Sequence, residues 1–415
     1  MNIKLHESKI EQKSEIKVTG SKSETNRLLL LQALFPNISL ENTSNSDDSE
    51  VMIKALAQNP EPKNLTPEII DIHHAGTAMR FLTAYFATQE NREVIITGSA
   101  RMKERPIKIL VEALQQLGAA ISYEENQGFP PIKIIGKKLS KNKVSLSADV
   151  SSQYISALLL IAPKLENGLE LTLEGKITSI PYIKMTLALL NEIGVETIFI
   201  DNTITVKKLI THNSKLITVE SDWSSASYFY SIVALSEIGT EIKLSSYKEN
   251  SLQGDSVLSK IYKNLGVETL FENNQIILRK SSDLNLQSQI LDLNEAPDIA
   301  QTIAVTCFGL GIGCHLTGLH TLKIKETDRL EALRIELEKL GANITVTNDS
   351  LTLEVSSVTE QNVAISTYND HRMAMAFAPL ALITDIIIND AEVVSKSFPD
   401  FWNDLKQLGF NVEKI

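Results

Sequence analysis

A short closing phrase, an apolar residue, then Gly, then an apolar residue, occurs five times at near-regular intervals. It reads Leu117-Gly118-Ala119, Ile193-Gly194-Val195, Leu265-Gly266-Val267, Leu340-Gly341-Ala342 and Leu408-Gly409-Phe410. Successive glycines lie 76, 72, 75 and 68 residues apart. Each phrase follows an amphipathic segment and precedes a β-like run, and a degraded copy without Gly lies near Ala55–Asn59. A period near one sixth of the 415 residues implies six related αβ units. A polar residue at one fixed place in each unit must then reach equivalent positions in space.

The first segment of each unit is apolar on nearly every side, as in Leu28–Phe35, Ala157–Ala162, Tyr228–Leu235 and Met373–Leu382. Such helices belong in a core. The second segment is amphipathic: Leu330, Leu333, Leu337 and Leu340 recur at helical spacing with charged residues between them. Strand-like runs complete the units at Val94–Thr97, Leu169–Leu173, Glu241–Leu244, Ile276–Leu278 and Leu351–Val355. The expected class is α/β (α+β), with six units dividing three and three into two domains. In each, three buried parallel helices are wrapped by outer sheets and start on one shared face.

Those helix starts are polar: Ser21-Lys22-Ser23, Ala75-Gly76-Thr77, Ser151-Ser152-Gln153, Ser224-Ser225, Pro297-Asp298 and Asp370-His371-Arg372. Each alone reads as an N-cap. Together with Lys22, Arg27, Arg80 and Arg372 they read as two crowns of anion-binding helix ends. Arginine usage supports this. Of only nine Arg against 31 Lys, six lie in the polar phrases: Arg27, Arg80, Arg101, Arg105, Arg329 and Arg372. Planar, bidentate recognition of anions favours Arg over Lys.

The net charge of −11 argues against a general affinity for nucleic acid or anionic membranes. Cys307 and Cys314 show no metal or redox spacing, which suits a reduced, cytoplasmic setting. No signal peptide or membrane span is expected, and Gln58–Pro67, with three prolines, is the loosest stretch.

Individual phrases carry the chemistry. Gly20-Ser21-Lys22-Ser23 with Asn26-Arg27 opens the first buried helix but lacks the spacing of a P-loop. Gly76 in Ala75-Gly76-Thr77-Ala78-Met79-Arg80 permits close approach of a ligand to the backbone. Arg101, Lys103 and Arg105 precede a helix whose start Pro106 marks. Lys325-Glu326-Thr327-Asp328-Arg329 leads into an amphipathic helix, where an exposed Asp–Arg pair is the plain alternative. His371, flanked by Asp370 and Arg372, reads as part of a site rather than as a core histidine.

In this order, with Val150-Ser151-Ser152-Gln153, Gln253-Gly254-Asp255 and Tyr368–Met375, these phrases resemble those of the 5-enolpyruvylshikimate-3-phosphate synthases across the whole chain. The resemblance implies two inverted αβ barrels of three repeats each, with substrates in a cleft that closes on binding. One domain would comprise residues 1–19 with 222–415, and an inserted domain residues 20–221. Hinges would lie near 19–21 and 219–222. It also implies transfer of the enolpyruvyl group of phosphoenolpyruvate to the 5-hydroxyl of shikimate 3-phosphate, with release of phosphate. No cofactor or metal is implied, and a monomer is expected.

By motif match, Ser23, Arg27, Ser151, Ser152, Gln153, Ser179, Asp298 and Lys325 are expected on shikimate 3-phosphate, with Tyr182 nearby. Gly76, Arg105, Gln153, Arg329, Arg372 and Lys396 are expected on phosphoenolpyruvate, and Lys22 on both. Arg101 and Lys103 are weaker candidates from the same phrase. Asp298 is expected to face the attacking hydroxyl. Glu326 or Lys22 is expected to move the proton at the enol carbon.

Departures from the family pattern are His73-His74 before Ala75-Gly76, Phe81 after Arg80, Ile180 after Ser179, and Thr321 four residues before Lys325. The first two leave the response to glyphosate open. One rival reading is the sister transferase acting on a UDP-aminosugar, whose loop commonly carries a reactive Cys. No Cys precedes Cys307 here. The other is a non-catalytic anion-binding protein, which would not need Asp298 and Glu326.

Overall fold

A computed structural model describes residues 1–57, 67–148, 151–175, 177, 180–210, 213–281 and 286–415. The chain forms a mixed α/β fold with two compact units. One comprises Met1–Ser21 and Glu220–Ile415, the other Lys22–Val219.

The sheets make the repeat visible. Among the described residues, five four-stranded sheets share one strand pattern, a parallel pair extended by two antiparallel strands. In the unit Lys22–Val219, Glu68–Asp71 pairs parallel with Glu93–Thr97, then Ile132–Ile135 and Ala120–Tyr123 follow antiparallel. The second sheet runs from Lys143–Ser147 through Leu169–Glu174 and Thr203–Val206 to Thr197–Ile200. In the other unit the sheets begin with the parallel pairs Lys13–Ile16 with Glu241–Ser245, Gln289–Asp292 with Cys314–Thr317, and Val363–Ile365 with Ile386–Ile388. Among the described residues the sixth sheet has only the parallel pair, Ile38–Glu41 with Lys215–Thr218. It belongs to the degraded copy, whose helix spans Asp47–Ala57. Most of Gln58–Pro67 lies outside the described residues.

The five repeat glycines adopt φ of 103°, 93°, 80°, 102° and 102° at Gly118, Gly194, Gly266, Gly341 and Gly409. A side chain disfavours this left-handed region, so Gly is the residue that turns the helix end into the next strand.

Each unit packs three buried helices inside its sheets. In Lys22–Val219 these are Lys22–Leu34, Gly76–Ala87 and Ser152–Ile161, which touch one another. In the other unit Trp223–Leu235 packs on Ala300–Gly309, which packs on His371–Phe377. Leu28, Leu30 and Leu31, like Leu158–Ile161, are fully buried. Burying each such side chain is worth about 1.5–3 kcal/mol. Small hydroxyl residues let the helices approach and satisfy one another. Ser227 meets Thr302 at 3.0 Å, and Thr306 donates to Ser231 at 2.8 Å. Ser156 meets Thr186 of the Ile180–Glu192 helix at 2.9 Å. These pairings satisfy the hydroxyls where the helices meet.

Candidate active site

In the unit Met1–Ser21 with Glu220–Ile415, the starts of the three buried helices converge on Asp298. Pro297–Ile299 forms a single tight turn before Ala300–Gly309, and Ala296, not Asp298, occupies the cap position. The Asp298 carboxylate is thus available to other partners. It accepts from Arg329 Nη1 at 2.9 Å and from Arg372 Nη2 at 3.3 Å, and Lys325 Nζ lies 3.4 Å away.

Arg329 is the hub. Its Nε donates to Asp370 Oδ2 at 2.6 Å and its Nη2 to Glu326 Oε2 at 2.6 Å. At 2% exposure it is buried, which excludes the exposed-pair alternative, and Asp328 instead caps its helix through Glu331 N. Asp370 caps the His371–Phe377 helix by accepting from Arg372 N at 2.8 Å. One buried carboxylate therefore holds the Arg329 side chain and the Arg372 backbone. Arg372 also donates to the Asp298 carbonyl and to Ser224 Oγ, each at 3.3 Å, and Ser224 Oγ donates to Asp255. The cap expected from Ser224-Ser225 is supplied by Asp222, which leaves Ser224 to bridge Arg372 and Asp255. Lys396 Nζ donates to the Asn369 carbonyl at 2.7 Å, beside Asp370. His371 is buried, its Nδ1 3.9 Å from Asp370.

These contacts set the charges. Burial opposes ionisation of Asp298, but Lys325, Arg372 and Arg329 outweigh it and hold the carboxyl well below the usual range. Burial likewise disfavours charge on Arg329, yet Asp370, Glu326 and Asp298 raise its pKa. Arg372 is raised for the same reason, with Asp298 as its main partner. Asp255 moves oppositely: burial, then the charge of Asp298, pushes it up to about 6.

In the unit Lys22–Val219 the balance differs. Arg27 is 3% exposed and held by neutral groups. It donates to Thr186 Oγ1 at 2.8 Å, to the Ser23 carbonyl at 2.7 Å and to Ser156 Oγ at 3.0 Å. The rings of Phe81 and Tyr182 lie 5.4 and 5.9 Å from its guanidinium carbon. Burial pushes its pKa down to about 10. Arg80 is also buried, and burial followed by Arg105 lowers it. Lys22 Nζ stands 3.8 Å from Asp48.

Gly76 begins its helix beneath Arg105. A Cβ on Gly76 would stand 2.6 Å from Arg105 Nη1, so the close approach expected there is made by a guanidinium. Gln153 Nε2 donates to Thr77 Oγ1 at 3.1 Å, joining two helix starts, and Ser151 caps the Ser152–Ile161 helix through Gln153 N. Ser152 is buried.

The structure thus gathers Asp298, Lys325, Glu326, Arg329 and Arg372 in one unit, with Lys396 next to Asp370. In the other it places Lys22, Ser23 and Arg27 on one helix, Gly76 against Arg105, and Gln153 beside Thr77. Ser179 lies outside the described residues. Arg101 and Lys103 sit on a short helix, Ala100–Lys103, and pair with exposed Glu104 and Glu125 at 2.8 Å. The following helix starts at Lys108 with Ile107 as its cap, two positions later than Pro106 suggests. Sequence reasoning passed over Asp255, Ser224 and the second role of Asp370. All three lay within quoted phrases, but only the fold shows which arginine each one meets. Among the described residues no cluster suits a metal ion, and no helix is long and apolar enough to cross a membrane.

Comparison with known proteins gives a consistent result. The family model for EPSP synthase (3-phosphoshikimate 1-carboxyvinyltransferase) matches residues 7–405. A 3-phosphoshikimate 1-carboxyvinyltransferase of Bacteroides fragilis (strain YCH46) is 45% identical over 407 residues, covering 97% of this chain and 96% of the relative. One from Shewanella halifaxensis (strain HAW-EB4) is 35% identical over 419 residues, covering 95% and 96%. The structure of EPSP synthase from Acinetobacter baumannii superposes with a TM-score of 0.81 at 21% identity, covering all of both chains. The enolpyruvyl transferase NikO from Streptomyces tendae gives 0.73 at 12% identity, covering 99% of this chain and 98% of its own. These two likenesses concern the fold alone; membership rests on the family model and the curated relatives. The chain belongs to the EPSP synthase (3-phosphoshikimate 1-carboxyvinyltransferase) family.

Proposed function

We propose that this protein transfers the enolpyruvyl group of phosphoenolpyruvate to the 5-hydroxyl of shikimate 3-phosphate, in the biosynthesis of chorismate and aromatic amino acids. The observation that carries this reading is one largely shielded carboxylate, Asp298, ringed by Arg329, Arg372 and Lys325. The substrates bring two phosphates and two carboxylates, so the chemistry needs cations together with a group that can take a proton.

Each half of the reaction has its residues. Lys22, Ser23, Arg27, Ser151, Ser152, Gln153 and Ser179 bind shikimate 3-phosphate, with Asp298 and Lys325. Lys22, Gly76, Arg105, Gln153, Arg329, Arg372 and Lys396 bind phosphoenolpyruvate. In the inserted unit Arg27 and Arg80 donate their hydrogen bonds to neutral groups, and among the described residues no ion pair joins Arg27, Arg80 or Arg105 to a carboxylate within 4.0 Å, which leaves their charge open to phosphate groups. In the other unit Arg329 and Arg372 are matched by carboxylates until an anion competes for them. On this reading each unit is an inverted αβ barrel of three repeats, and the enzyme is a cytoplasmic monomer.

In the addition step the 5-hydroxyl oxygen bonds to C2 of phosphoenolpyruvate while Asp298 accepts its proton. C3 gains a proton from Glu326 or Lys22. In the elimination step C3 returns a proton, the C2–O bond to phosphate breaks, and phosphate leaves. The low pKa of Asp298 without substrate makes it a weak base. Anions that draw Arg372, Arg329 and Lys325 towards themselves raise it into a useful range.

Phosphate release with phosphoenolpyruvate tests this directly. Turnover with shikimate 3-phosphate and none with a UDP-aminosugar is expected. Turnover only with the UDP-sugar would assign the sister reaction, and no turnover with either would leave an anion-binding protein.

A further inference from the structure

We propose that Arg80 is a positioning residue for the phosphoenolpyruvate site: it clasps the Gly76 helix start to the Arg105-Pro106 segment and thereby holds Arg105 over Gly76. This rests on the assignment of Gly76 and Arg105 to phosphoenolpyruvate.

Arg80 lies one turn inside the Gly76–Ala87 helix and is 4% exposed. Its Nη1 donates back to the Gly76 carbonyl at 2.9 Å. Its Nη2 donates at 3.3 Å to the Pro106 carbonyl, the residue after Arg105. Tyr154 donates its hydroxyl to the same carbonyl at 2.6 Å, and its ring lies 5.7 Å from the Arg80 guanidinium carbon. One planar group thus ties two segments distant in sequence, with Tyr154 packed on it as a support. A fork with fixed geometry can do this, whereas the single ammonium of Lys cannot reproduce both directions.

The charge of Arg80 needs its own explanation. Its Nε is buried with no hydrogen-bond partner among the described residues. No ion pair joins Arg80 or Arg105 to a carboxylate within 4.0 Å among those residues. Two neighbouring guanidinia without a counter-ion repel each other, and burial, then Arg105, lowers the pKa of Arg80. If Arg80 served only to join two backbone carbonyls, a neutral donor would do so without that cost. A bound anion offsets the repulsion, so the arrangement favours the liganded state.

The test uses Arg80→Met and Arg80→Lys in the full chain, alone and combined with Arg105→Ala. Steady-state kinetics are measured for each substrate, with calorimetric binding of phosphoenolpyruvate and thermal unfolding. Arg80→Met is expected to raise KM for phosphoenolpyruvate tenfold or more, and KM for shikimate 3-phosphate less than threefold. Arg80→Lys should fall between Arg80→Met and wild type. Adding Arg80→Met to Arg105→Ala should cost little more than Arg105→Ala alone, because residues acting through one another are non-additive. Fully additive losses, an equal rise in both KM values, or an unchanged KM for phosphoenolpyruvate would overturn the proposal. Should Arg80→Met not fold, Arg80→Lys and its combination with Arg105→Ala give the same discrimination. Failure of the wild type to turn over shikimate 3-phosphate would instead strike the functional reading. Failure of the coupling alone would strike only the role of Arg80.

Discussion

Arg329 Nη1 donates to Asp298 Oδ1 at 2.9 Å, and this buried arginine is shared with Asp370 and Glu326. Three carboxylates on one guanidinium fix its plane more firmly than any surface pair could. Asp298 therefore has a defined position before substrate arrives. The arrangement also keeps Asp298 ionised, and so able to take a proton.

Replacing Asp298 with Ala should reduce kcat far more than ligand affinity. Removal of a general base typically costs a factor of about 10²–10⁴. Saturating kinetics alongside calorimetric binding of shikimate 3-phosphate would separate the two effects. Near-normal turnover would remove Asp298 from the chemistry.

Arg27→Ala should act differently. The side chain is held by Thr186, Ser156 and the Ser23 carbonyl, none of which is charged. Its charge is therefore available to an anion. KM for shikimate 3-phosphate should rise by about 10- to 100-fold, the loss expected for one or two charge-assisted hydrogen bonds, while kcat falls less. A variant with an unchanged KM for that substrate would contradict the role.

Gly76→Ala should leave the fold intact and weaken phosphoenolpyruvate binding. The added methyl would meet the end of Arg105, a flexible side chain that can move aside. The site would lose its alignment. A KM for phosphoenolpyruvate raised about tenfold, roughly 1.4 kcal/mol, with a near-wild-type melting temperature is the expected pair of results.

Asp255 gives a pH signature. Burial raises its pKa to about 6, so the folded state binds its proton more tightly than the unfolded chain does. Its contribution to stability is present below the unfolded value, about pH 3.9, and is lost as pH rises through about 6. Asp298, with its depressed pKa, contributes in the opposite sense: its stabilisation is present above the unfolded value and lost as pH falls through the folded one. Asp255→Asn should therefore gain stability over wild type between pH 4 and 7, by about 2–3 kcal/mol at most. Denaturant titrations of both proteins across that range would read the difference, and parallel curves would refute it.

Much of this could be read from the residues. The repeated Gly phrase located five left-handed turns, and the apolar segments located the buried helices. What eluded the sequence was long-range pairing. Asp370 looked like a cap, and it is one, yet its second oxygen holds Arg329 across 41 positions of chain. Arg329 could be placed on an amphipathic helix, but not on its buried side, because two of the three partners that offset the burial, Asp298 and Asp370, come from other segments. The short Ala100–Lys103 helix was hidden because Arg101 and Lys103 read as one cationic run with Arg105. Only Arg105 turns inward, while the other two find glutamates at the surface.

The strand Ile3–Leu5 lies between Ile386–Ile388 and Val412–Lys414, hydrogen-bonded to both. The strand Ile3–Leu5 thus has no partner in this sheet until Ile386–Ile388 has been made. The 198 residues from Lys22 to Val219 pack among themselves, and so can settle while synthesis continues. Trimming only the final strand would leave Ile3–Leu5 with a raw edge facing water, an invitation to pair with another molecule.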